Sequence, residues 1–126
     1  MKAFKLSIVL LIVIITGSLY FIRVINTTME TMLSKIESLE HAVKTADWQS
    51  AETQMNEIQE TWGKNEQWMT TLVNHGEIDE IKMRFAKLSQ YIRFKEAPLF
   101  MAEVTAVKLL IQNIAATEKV NLSNFL

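Results

Sequence analysis

Asn26–Ala46, NTTMETMLSKIESLEHAVKTA, is the stretch whose reading decides the fold. Its apolar residues fall at Met29, Met32, Ile36, Leu39, Val43 and Ala46, in alternating steps of three and four. That spacing lays them along one stripe of a helix, a heptad seam that needs partner helices to cover it. No glycine or proline interrupts the stretch. Asn26, Thr27 and Thr28 carry capping side chains, yet nothing there breaks a helix arriving from the N-terminal side, so near-continuity is expected. Thr45-Ala46-Asp47 reads as a turn, with Asp47 suited to N-cap the helix that follows.

Toward the N-terminus lies Leu6–Ile22, LSIVLLIVIITGSLYFI, an uncharged apolar run held between Lys5 and Arg23. A helix of about 20 apolar residues crosses the roughly 30 Å hydrocarbon core. Phe4, Val24 and Ile25 lengthen the run, and Lys5 and Arg23 snorkel to the two interfaces. Lys2 and Lys5 on one side, against Arg23 close by on the other, favour a cytoplasmic N-terminus. The competing reading is a cleaved secretory signal ending near Thr16-Gly17-Ser18. Against it, the run resumes at once with Leu19-Tyr20-Phe21-Ile22 and has no Ala-x-Ala site. No cysteine follows, which excludes a lipoprotein box.

Toward the C-terminus a second stripe runs through Trp48, Ala51, Met55, Ile58, Trp62, Met69 and Leu72, with Asn65 at a core position. Gly76, in Asn74-His75-Gly76, is expected to close that helix as a left-handed C-cap. The third helix opens on Glu77, Asp79 and Glu80 and carries Ile78, Ile81, Phe85, Leu88 and Ile92. Pro98 suits the first turn of a fourth helix. There Leu99, Ala102, Ala106, Leu109, Asn113 and Val120 are read as the inner face, supplemented by Leu110 and Ile114. Residues 121–126, NLSNFL, read as a short polar tail.

The fold class expected is all-α: a single N-terminal transmembrane helix followed by an antiparallel up-down four-helix bundle. The chain divides into a cytoplasmic N-terminus (1–5), an anchor (6–25) and a bundle (26–126). The bundle helices are placed at about 26–46, 48–74, 77–95 and 98–120. A helix-hairpin repeat is the runner-up, because Ala46-Asp47-Trp48 with Ala51 looks like the turn of a tetratricopeptide repeat, but no second copy follows. With each helix reversing, the Asn74–Asp79 turn and the C-terminal tail fall near the membrane surface, and Trp68 points into that zone.

Composition narrows function further. Beyond residue 25 there are fourteen acidic and ten basic residues, a formal charge of −4, which gives nucleic acid no basic face to bind. Absence of cysteine excludes disulfides and thiolate metal sites. His75 and Asp79, four apart, share a helix face and are weighed as a cation site against the plainer reading of a helix start facing its own dipole. Glu77 points elsewhere. His41 is read as solvated. Met29, Met32, Met55 and Met69 are read as core packing. Asn65 and Asn113 are read as partners for each other or as register-fixing residues, so that Asn65→Leu is expected to stabilise. Glu103 is read as solvated, with Arg84 or Lys87 as possible partners. No nucleophile–base pair, phosphate loop or carboxylate pair is present, so no catalytic residue, cofactor or small-molecule substrate is assigned.

Trp48, Trp62, Trp68, the segment His75-Gly76-Glu77-Ile78-Asp79, Tyr91-Ile92, Glu103 and the closing Asn121-Leu122-Ser123-Asn124 give the chain a resemblance. It resembles a domain-of-unknown-function family of short, N-terminally anchored helical proteins of endospore-forming Firmicutes, over essentially the whole chain with its anchor. The resemblance implies location and architecture and no activity. Within it, His75, Glu77, Asp79, Asn121 and Asn124 are the candidate contact residues; Lys5, Leu6, Ile22 and Arg23 bound the anchor. The function expected is a membrane-anchored, non-enzymatic helical interaction module on the extracytoplasmic surface of the cell membrane, crossing it once and meeting a membrane-protein partner or a second copy. The alternatives are a ligand-sensing bundle signalling through a partner and a metal-binding protein at His75 and Asp79.

Overall fold

A computed structural model describes residues 1–125, with side chains through residue 117. Four helices account for nearly all of it: α1 (Lys2–Lys44), α2 (Trp48–Leu72), α3 (His75–Arg93) and α4 (Ala97–Phe125). There is no strand among the described residues. α1 is unbroken, 43 residues or about 65 Å, so the apolar run and the heptad seam are one rod. Each helix packs on the next, and α4 also packs on α1, so the four form a ring around one core.

The seam of α1 supplies Ile25, Met29, Met32, Ile36, Leu39 and Val43, all nearly inaccessible. The same three-and-four spacing continues downward through Ile22, Ser18 and Ile15, which are partly covered, whereas residues 1–14 are exposed all round. α2 adds Ala51, Met55, Ile58, Trp62 and Met69, and α3 adds Ile78, Ile81, Phe85, Leu88 and Ile92. Trp62 and Phe85 meet edge to face, centroids 5.5 Å apart and planes at 88°, joining α2 to α3. The four core methionines fill this interior.

The α1–α2 and α3–α4 turns share one geometry. Asp47 N–H donates to Ala42 O and Ala46 N–H to Val43 O; Glu96 N–H donates to Tyr91 O and Lys95 N–H to Ile92 O. Both are Schellman closures, and the residue in the left-handed position is Ala46 (φ 57°) in one and Lys95 (φ 57°) in the other. Neither is glycine, so each turn holds a side chain in a backbone conformation that favours glycine. Asp47 accepts from Ser50 N–H at 3.2 Å and caps α2, as its position suggested.

Several sequence expectations are corrected. Ala46 is exposed and leaves the seam to Ala42. Leu72 stands 37% exposed while Val73 turns inward. Gly76 does not cap α2: Val73 does, with extended backbone, and Gly76 sits inside the first turn of α3. In α4 the inner face is Phe100, Val104, Val107, Ile111 and Ile114, while Leu99 and Leu109 are half exposed and Asn113 is exposed. Both stripes carry three-and-four spacing, and the bulkier side chains take the core because they fill it to solid density. The expected tail at 121–126 is, as far as Phe125, a continuation of α4. Val120's side chain falls outside the described residues.

Candidate functional site

The α2–α3 link is two residues long, Val73-Asn74. Asn74 is the N-cap of α3: its Oδ1 accepts from Gly76 N–H at 2.8 Å, and its carbonyl accepts from Glu77 and Ile78 N–H. A Cβ on residue 76 would stand 3.2 Å from Asn74 Oδ1, a tight but local contact. Ile78 is fully buried and pins the turn to the core. His75 and Asp79 thereby come together on the outside of the first turn, Nε2 to Oδ2 3.2 Å, with side chains 71% and 51% exposed. Glu77 lies on another face, half-buried.

Two groups on an open surface are too few for a zinc ion, which takes three or four protein ligands. No cluster of three or more His, Cys, Asp or Glu side chains forms among the described residues. Ion pairing so exposed contributes under about 1 kcal/mol. Asn121 and Asn124 lie on the backbone of α4, and their side chains fall outside the described residues. The structure therefore brings His75 to Asp79 and leaves Glu77 apart.

Asn65 does not meet Asn113. It donates Nδ2 to Thr61 O and accepts Trp68 Nε1 on its Oδ1, both at 2.8 Å. Those bonds lie within α2 and leave Asn65 half-buried. Glu103 is not solvated: its side chain is 14% exposed, and Arg84 Nη1 donates to it at 3.0 Å. Arg84 also reaches Glu80, through Nη2 at 3.0 Å and Nε at 3.3 Å. The Glu80 hydrogen bond, reinforced by Glu103 against partial burial, raises the Arg84 guanidinium above its ordinary value. A raised cation contributes fully below its unfolded value, so Arg84 keeps this link charged until strongly alkaline pH.

Two further ties between helices were not visible in the sequence. Lys82 Nζ of α3 lies 3.2 Å from Glu66 Oε1 of α2. Lys108 Nζ of α4 lies 2.5 Å from Glu40 Oε1 of α1 and forms an ion pair with it. Glu40 is the one buried charged residue among those described. The only advance signal was a charge flanking an apolar stripe, which does not name its partner. Trp62 Nε1 is buried without a hydrogen-bond partner.

Surface depressions are shallow. Three hold about 210–250 Å³ each, and one of about 110 Å³ lies over Gly63 between Trp62, Glu66, Lys82 and Phe85. Among the described residues, two helices are long and apolar enough to cross a bilayer by length and composition. These are α1, whose apolar window is almost wholly uncovered, and α4 over Ala97–Thr117, which gives its bulkiest side chains to the core.

No curated protein and no solved structure matches the chain. A family model does match, over residues 19–125, a span that holds every residue on which the resemblance rests and leaves out the first eighteen, with most of the apolar run. By that match the chain belongs to the family described as domain of unknown function DUF4363.

Proposed function

We propose that this chain is a membrane-anchored, non-enzymatic helical interaction module working at the extracytoplasmic surface of the cell membrane. The observation that carries the reading is the division of α1: one rod, exposed on every side through residue 14 and clad on one seam from Ile25 to Val43. An apolar surface of that extent is stable in lipid and unfavourable in water. Because the rod is unbroken, the anchor and the bundle are a single rigid piece. The seam also argues for an uncleaved anchor, since its three-and-four spacing runs on through Ile22, Ser18 and Ile15 without a break in the helix.

The ring of neighbours, joined by links of two or three residues, supports an antiparallel up-down course. Lys2 and Lys5 support a cytoplasmic N-terminus, with the bundle outside. A partner for such a module is a membrane protein or a second copy. Ligand sensing finds less support, because depressions of 250 Å³ or less fall below the roughly 300–1,000 Å³ of small-molecule sites.

Protease added to intact protoplasts, followed by alkaline extraction, tests this. The expected result is loss of the bundle and survival of a membrane-embedded fragment containing Leu6–Ile22. A bundle protected until the cells are lysed overturns the orientation, and a chain released by alkali overturns the anchor. Crosslinking in the same membranes then identifies what the bundle touches.

A further inference from the structure

We propose that the α2–α3 end of the bundle is seated in the headgroup layer of the bilayer, not raised above it on a stalk. The inference rests on the anchor reading and adds its depth and its lipid contacts.

The apolar run from Leu6 to Ile22, closed by Lys5 and Arg23, is about 26 Å of helix, close to the roughly 30 Å that a bilayer core requires. Only residues 6–14 of it are bare, about 14 Å of helix; from Ile15 onward the inner seam is partly covered, and Ile25 is 2% exposed. No break separates that segment from the bundle, because α1 is one continuous helix. If α2 runs back beside α1 from the turn at Lys44, its 25 residues end about level with Tyr20, which places Leu72 at that height and Trp68 near Arg23.

The chemistry at this level suits an interface. Leu72 is an exposed apolar side chain, and Trp68 is half-buried with its indole N–H held by Asn65. Tryptophan and tyrosine prefer the headgroup zone, where one end is wet and the other apolar. A largely apolar groove of about 210 Å³ lies along Tyr20, Val24 and Thr27 with Arg23 at its edge. A cation beside an apolar surface is complementary to a phospholipid. The same end also sets a limit on depth: His75 and Asp79 are exposed and polar, and would be costly in hydrocarbon. Covered seam below and charged turn above together leave the headgroup layer as the position that satisfies both.

The chain has no cysteine, so single spin labels can be placed on the full-length protein at three exposed sites. Leu10→Cys lies in the bare run, Leu72→Cys at the proposed seat, and Gln49→Cys at the start of α2. Reconstitution into phosphatidylethanolamine–phosphatidylglycerol vesicles, with collisional relaxation by oxygen and by a neutral nickel chelate, reads their depths. The expected order is oxygen-dominated at Leu10→Cys, intermediate at Leu72→Cys and nickel-dominated at Gln49→Cys, with unchanged helical circular dichroism. A Leu72→Cys label as nickel-accessible as Gln49→Cys, with Leu10→Cys still in lipid, overturns the seat alone. A Leu72→Cys label as deep as Leu10→Cys, or a Gln49→Cys label as shielded as Leu72→Cys, also overturns it. A wet Leu10→Cys label overturns the anchor as well.

Discussion

The two halves of α1 are both helical and have opposite fates. Residues 6–14 are apolar on every side and uncovered, while the half from Ile25 to Val43 is apolar on one stripe and buries it almost completely. Helix propensity does not separate them, because both are helical. What separates them is pattern: an all-round apolar surface fits lipid, and a heptad stripe fits other helices. The two patterns also meet without a break, since the three-and-four spacing of the seam runs on down to Ile15 within one helix.

The comparison breaks most visibly through matched truncations. Leu39→Ala, in the clad half, is expected to destabilise the bundle by about 3 kcal/mol in denaturant unfolding followed by circular dichroism in mild detergent. Leu10→Ala, in the bare half, is expected to change it by less than about 0.5 kcal/mol. Equal costs would mean that the bare half is packed after all. Next in size, Lys108→Ala strands Glu40 between α1 and α4 and is expected to cost about 2 kcal/mol, because a largely buried carboxylate loses its cation. Adding Glu40→Leu should recover most of that loss, and a double-mutant cycle without coupling would refute the pairing.

Smaller effects sharpen the picture at the ends. Asn65→Leu was expected from sequence to stabilise, but it removes the acceptor of Trp68 Nε1 and is now expected to cost about 1 kcal/mol. A gain in the unfolding midpoint would show that the bond carries no net stability. Ala46→Gly relieves a left-handed alanine and should raise stability by up to about 1 kcal/mol, provided the extra freedom of the unfolded chain does not cancel it. A loss would place that cancellation above the strain. Smallest of all, Asp79→Asn and addition of a chelator should each change the stability read from thermal unfolding by less than about 0.5 kcal/mol. A drop with chelator would revive a cation at His75 and Asp79.

Legibility differed from helix to helix for reasons that particular residues expose. In α3 the inward stripe Ile78, Ile81, Phe85, Leu88 and Ile92 is the only apolar line of its kind, and it is the buried one. In α4 two lines with the same spacing compete, one starting at Leu99 and the other at Phe100, and periodicity is silent between them. At the α2–α3 link, Asn74 and Gly76 are both plausible terminators. Asn74 prevails because its side chain can cap α3 while Val73 closes α2 without a left-handed residue. The His75–Asp79 contact was foreseeable from a four-residue step, whereas Glu103 was read as solvated with Arg84 or Lys87 as the alternative, because no local spacing decides between water and a cation nineteen residues away on another helix.

By itself the sequence determined the helices, the seams of α1, α2 and α3, the Asp47 cap and the apolar run, since all of these depend on spacing within a few turns of one chain. Only the tertiary structure decided which face of α4 points inward, that Lys108 meets Glu40, and that Arg84 of α3 meets Glu103 of α4. Those outcomes depend on which side chains from distant segments fill a common space, and no local period encodes them.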